Sequence, residues 1–164
     1  MPPGAADATI RRMKRVILVA ALGLVAAISG CTRKTSDRDL QYVTPFEALE
    51  RSNEAAGLFE KPIETAWVDP RPAVQYAQAH IPGAINLPFP RMTAEAEVVL
   101  KGYGRFVVYD GGEDDTIAKA ASKRLMELGF DNVYTLEGGL KKWEKDHQSV
   151  ETGVPAPTAP ARKP

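Results

Sequence analysis

Residues 106–109, FVVY, form an unbroken apolar run of β-favouring residues, with Gly104 and Arg105 before it and Asp110 and two glycines after it. Such a run reads as a strand buried on both faces, the kind found in parallel sheets covered by helices. Residues 116–128 then place Ile117, Ala120, Ala121, Leu125 and Leu128 on one stripe, and Gly129 closes this helix at C′. The same rhythm runs from 42 to 147. Tyr42-Val43 is a short strand, and Thr44-Pro45-Phe46-Glu47 opens a helix with a cap, a proline at N1 and a glutamate at N3. Residues 65–68 form a strand ending at Asp69, 72–79 a short helix, 81–87 a turn and strand, and 91–100 a weaker helix. Residues 132–136 are a last strand, Gly138-Gly139 a turn and 140–146 a closing helix. Alternation of this kind predicts an α/β domain with a parallel sheet and helices on both faces.

Composition removes several function classes. Lys plus Arg and Asp plus Glu each number 21, so no basic excess points to nucleic acid. One cysteine, Cys31, rules out an intrachain disulfide and a cysteine-rich zinc site, and only two histidines, His80 and His147, are present. No cofactor is implied.

The first thirty residues read as an address. A basic RRMKR precedes an uncharged apolar run over 16–29, which as a helix spans only about 21 Å against a hydrocarbon core of about 30 Å. A basic stretch ahead of a short apolar run is the layout of a secretory signal. Ile28-Ser29-Gly30-Cys31 resembles the lipobox of bacterial lipoproteins, which implies cleavage before Cys31 and lipid on its sulfur. Thr32 then implies outer-membrane sorting in a Gram-negative host. An uncleaved anchor, or initiation at Met13, is the alternative. Cleavage removes four basic residues and one acidic residue, leaving a net charge of −3. The expected organisation is a signal peptide over 1–30, a lipidated polar tether over 31–41, the domain over 42–147 and a disordered proline-rich tail over 148–164. The expected location is the cell envelope, with the membrane as partner through Cys31 and a possible envelope protein besides.

Three stretches resemble rhodanese-like sulfurtransferase domains. Residues 67–88 carry Asp69 and Arg71 after a strand, then His80-Ile81-Pro82-Gly83-Ala84. Residues 106–110 match the strand entering the active-site loop, and 128–143 match the closing stretch with Gly138, Gly139 and Trp143. The resemblance implies a five-stranded parallel sheet with helices on both faces. Asp69 and Arg71 are expected to pair and hold their loop, His80 to satisfy loop carbonyls, and Trp143 to lie in the core.

Sulfurtransferases of this family hold sulfur on a cysteine at the end of the central strand, its thiolate stabilised by loop N–H groups and a helix N-terminus. Asp110 stands at that position, no cysteine lies downstream, and no Arg or Lys lies between Asp110 and Lys119. The loop Gly111, Gly112, Glu113, Asp114, Asp115, Thr116 is about two residues longer than in sulfurtransferases and strongly acidic. One like-charge pair at 5 Å costs about 3 kcal/mol at an effective dielectric of 20, so anionic substrates are repelled. Asp110, Glu113, Asp114 and Asp115 are hard-oxygen candidates for a divalent cation. Alternatively, Asp114, Asp115 and Thr116 cap the following helix, and Asp110 accepts the loop N–H groups as a built-in anion. The expectation is an inactive rhodanese-like binding or regulatory module. The alternatives are a sulfurtransferase-related enzyme and a metal- or aspartate-dependent one. Lys119, Lys123, Arg124, Lys141, Lys142 and Lys145 read as solvated helix faces or a partner patch.

Overall fold

The computed structural model describes residues 34–54, 62–112 and 114–153. The segment expected to be a signal peptide, Cys31, Glu113 and the tail from 154 onward lie outside the described residues. Five parallel strands, β1 (Gln41–Val43), β2 (Thr65–Asp69), β3 (Ile85–Asn86), β4 (Arg105–Val108) and β5 (Val133–Leu136), are ordered β1-β5-β4-β2-β3. Strand β4 sits at the centre with all four residues buried: Phe106, Val107 and Val108 as a run apolar on both faces requires, and Arg105 with its Nη2 donating to Glu54 Oε2.

Alternation along β4 divides the core. Phe106 and Val108 face α3 (Phe89–Val99) and α4 (Thr116–Glu127), packing with Met92, Ala96, Ala121 and Leu125. Val107 and Tyr109 face α1 (Pro45–Ser52), α2 (Ala73–Gln78) and α5 (Gly139–Lys145), packing with Ala48, Tyr76, Leu140 and Trp143. Helix α4 ends in a Schellman motif: Phe130 N–H donates to the Leu125 carbonyl and Gly129 N–H to that of Met126. Trp143 is 3% exposed and meets Trp67 edge-on at 5.2 Å.

Both expected ends of the domain need correction. The stretch before β1 is not a free tether from residue 35 onward. Thr35 Oγ1 donates to the Lys123 carbonyl and to Glu127 Oε1, Asp37 pairs with Lys123 at 2.6 Å, and Leu40 is buried. Likewise the first residues of the expected disordered tail are placed. The Trp143 indole N–H donates to the Ser149 carbonyl at 2.8 Å, Val150 packs on the core, and Glu151 exchanges backbone hydrogen bonds with His80. A buried indole N–H needs an acceptor, and the chain after α5 returns to supply one.

Candidate functional site

Beyond β4 the chain passes through Tyr109 and Asp110 into the loop before α4. Asp110 is 5% exposed, and its carboxylate is fully engaged. Oδ1 accepts from the N–H of Gly112 at 2.8 Å, and Oδ2 from those of Ile117 at 3.1 Å and Ala118 at 3.0 Å. Ile117 and Ala118 belong to the first turn of α4, whose N–H groups have no partner within the helix. Asp110 therefore caps α4 from seven and eight residues away, with its charge at the positive end of the helix dipole.

That arrangement corrects the local capping expected of Asp114, Asp115 and Thr116. Asp115 occupies the N-cap position, but its backbone is left-handed at φ 51° and its side chain makes no bond into the helix. Its Oδ2 accepts from Gly138 N–H at 3.2 Å instead, and its Oδ1 is buried without a hydrogen-bond partner among the described residues. Thr116 is the first helical residue, and Asp114 is exposed, with its carbonyl taking the Lys119 ammonium at 2.9 Å. Among the described residues no three His, Cys, Asp or Glu side chains are grouped to hold a metal ion.

The loop is clamped against the turn before α5. Leu140 N–H donates to the Asp110 carbonyl at 2.8 Å. A Cβ on Gly112 would stand 1.9 Å from the Gly138 carbonyl oxygen, and one on Gly139 would stand 2.5 Å from that of Asp110. Only glycine permits this approach, and both positions also carry positive φ.

A pocket of about 430 Å³ opens in front of Asp110, between Arg71 and Gln75 on one side and Gly112, Thr116 and Ile117 on the other. Arg71 is nearly buried and committed elsewhere. Its Nε reaches both oxygens of Asp69, at 2.9 and 3.1 Å, and its Nη2 donates to the Ala79 carbonyl at 2.8 Å. Burial acts against the guanidinium charge, but Asp69 more than offsets it and holds the group above its ordinary range. Behind this pair, Tyr109 Oη accepts from Ile81 N–H at 3.1 Å, and burial pushes its phenol strongly upward.

His80, 3% exposed, does not line this pocket. Its ring stacks on Tyr76 at 3.8 Å and its Nδ1 lies 2.9 Å from the Tyr76 carbonyl. Among the basic residues singled out, Lys123 pairs with Asp37, Arg124 with Glu127 and Lys142 with Asp146. Glu151 and Tyr109 escaped the sequence reading. Glu151 sits in a polar tail, and Tyr109 resembles any other apolar strand residue until its hydroxyl is located.

Residues 52–146 match the family model described as a rhodanese-like domain. Among curated proteins, the centrosomal protein of 41 kDa of Xenopus tropicalis is 31% identical over 127 residues, covering 70% of this chain and 34% of that protein. The adenylyltransferase and sulfurtransferase UBA4 of Candida albicans is 30% identical over 97 residues, covering 54% of this chain and 20% of that one. This chain thus spans about a third or less of the length of these relatives. The solved thiosulfate sulfurtransferase of Pseudomonas aeruginosa superposes with a TM-score of 0.57 at 31% identity, over 70% of this chain and 20% of that one. A Bacillus halodurans structure gives 0.53 at 26% identity, covering 68% and 77%. With the central strand, the Asp69–Arg71 pair and the clamped loop in the expected places, the chain belongs to the rhodanese-like domain family of the sulfurtransferase superfamily.

Proposed function

We propose that this protein is an envelope lipoprotein, anchored through lipid on Cys31, whose rhodanese-like domain binds or regulates another envelope protein and transfers no sulfur. One observation carries the reading: the Asp110 carboxylate fills the ring of N–H groups that a persulfide thiolate would need. With both oxygens bonded to backbone N–H groups, Asp110 is a poor nucleophile. The adjacent guanidinium, Arg71, is held by Asp69. Asp114 at the rim adds negative charge where an anionic sulfur donor would enter. The relatives are named both as sulfurtransferases and as a centrosomal protein, so membership alone does not fix an activity.

The test is sulfur transfer from thiosulfate to cyanide by the full chain in mild detergent, beside Asp110→Cys with Asp115→Arg. Wild type is expected to form no thiocyanate above the enzyme-free rate, with any gain confined to the double variant. Wild-type turnover abolished by Asp110→Ala would overturn the inactive reading. For the anchor, Cys31→Ala is expected to move the chain from membranes to the soluble fraction, and continued retention would count against it.

A further inference from the structure

We propose that His80 and Glu151 form a clasp that tightens as the imidazole takes up a proton. It holds the strap after α5, residues 149–153, to the end of α2 more firmly in mild acid than above neutral pH. Backbone contacts fix the strap along its length. The Trp143 indole N–H donates to the Ser149 carbonyl, and Val150 packs on the core. Glu151 N–H donates to the His80 carbonyl at 2.8 Å and His80 N–H to that of Glu151 at 2.9 Å, while Gly153 N–H donates to the Ala77 carbonyl at 2.7 Å. None of these bonds titrates. The contact that does lies between the two side chains at the bridge, where His80 Nε2 stands 3.7 Å from Glu151 Oε2.

Ring geometry says which protonation state completes the clasp. Nδ1 lies 2.9 Å from the Tyr76 carbonyl oxygen, which can only accept, so Nδ1 carries a hydrogen. In the neutral ring Nε2 is then a lone pair turned toward a carboxylate, and two acceptors face each other. A proton on Nε2 converts that opposition into an ion pair, with one nitrogen held by α2 and the other by the strap. The ring cannot turn away, since its side chain is 4% exposed and it stacks on Tyr76 with centroids 3.8 Å apart. Glu151 Oε2 is steadied by Gly83 N–H at 3.5 Å. Other charges nearby do not compete. Arg71 Nη2 reaches the Ala79 carbonyl next to His80, but its guanidinium is paired with Asp69. Tyr76 and Tyr109, the latter accepting from Ile81 N–H, stay neutral because burial pushes both phenols up, that of Tyr76 to about 12. Imidazoles take up their proton between about pH 8 and 5, and the hold fades as pH rises through that range. Helix α2 also supplies Gln75 to the Asp110 pocket, so the strap is fastened to a wall of the site.

The experiment is hydrogen exchange of the full chain in mild detergent at pH 5.5 and pH 8, each amide corrected for its intrinsic rate at that pH. Local opening of the strap is read at the Glu151 and Gly153 amides, and global opening at Phe106, whose N–H donates to the Asn132 carbonyl beside the central strand. The Glu151 side chain is 58% exposed, so the pair is partly screened. Relative to Phe106, protection of Glu151 and Gly153 is expected to be about two- to fivefold greater at pH 5.5 than at pH 8. Glu151→Gln keeps the side-chain length and both backbone bonds, removes the charge from an exposed position, and is expected to bring that ratio to one or below. A wild-type ratio of one or less, or a ratio that Glu151→Gln leaves unchanged, would overturn the proposal.

Discussion

Asp110→Ala should destabilise the domain by far more than an ordinary loop substitution, and the three hydrogen bonds say by how much. The variant leaves three N–H groups without their acceptor, but they do not suffer equally. Gly112 is half-buried and Ile117 is 38% exposed, so both can turn to water. Ala118 is fully buried and cannot. One stranded buried donor costs about 1–3 kcal/mol, and loss of a helix cap costs about 1–2 kcal/mol, with part of the two terms shared. A total of about 2–4 kcal/mol is expected, which lowers the melting temperature by about 8–16 °C for a domain of this size. Asp110→Asn keeps one acceptor oxygen but turns an amide donor toward N–H groups, and is expected to fall between wild type and Asp110→Ala. Thermal melts of the full chain followed by circular dichroism supply the number. Hydrogen exchange supplies the cause, since the Ala118 amide should lose protection out of proportion to its neighbours. A melt within about 2 °C of wild type would refute the capping argument, because a stranded donor and a lost cap cannot together cost so little.

Asp110→Cys in a Cys31→Ala background should give a thiol titrating below the ordinary value of about 8.5, because the same N–H groups favour the thiolate. The pH profile of its alkylation rate measures this, and an inflection at or above the ordinary value would count against the cradle. Truncation after Gln148 removes the acceptor of the Trp143 indole N–H and the backbone pairing of His80 with Glu151. The urea midpoint should fall by the equivalent of about 1–3 kcal/mol, and an unmoved midpoint would mean that residues 149–153 contribute nothing. Burial pushes the Tyr76 phenol up to about 12, from 10.0. Its neutral form is thus favoured in the fold: the stability it contributes is complete below about pH 10 and is lost as pH rises toward 12. Absorbance at 295 nm should fall short of full tyrosine ionisation at pH 11 while the fold survives, because Tyr76 and Tyr109 stay neutral, and full ionisation there would contradict their burial.

What sequence reveals here is set by the range of the interaction that leaves the mark. FVVY announces β4 because alternate residues meet opposite faces and both faces are buried, and Phe106 and Val107 do lie in opposite core layers. The Thr44–Glu47 capping box is equally plain, since its hydrogen bonds close within three residues, with Thr44 N–H donating to Glu47 Oε2 at 2.8 Å. The ends of the domain left no such pattern. Thr35 finds its partners 88 and 92 residues away, and polar residues that bond at that range look like those that bond to water. Leu40 and Val150, lone apolar residues in polar company, were the only local traces of docking. Misplacement of the α4 cap has the same root. A rule that seeks the cap beside the helix selects Asp115, but the loop doubles back on Gly138 and Gly139, which brings Asp110 under the first turn and sends Asp115 to Gly138. Glycine at 112 and 139 is what lets the loop approach so closely, so the two glycines fix the chemistry of the site as firmly as the acid does. Asp110→Cys therefore replaces the two capping oxygens by one weaker sulfur acceptor in the same step, and a variant that gains chemistry is expected to give up stability for it.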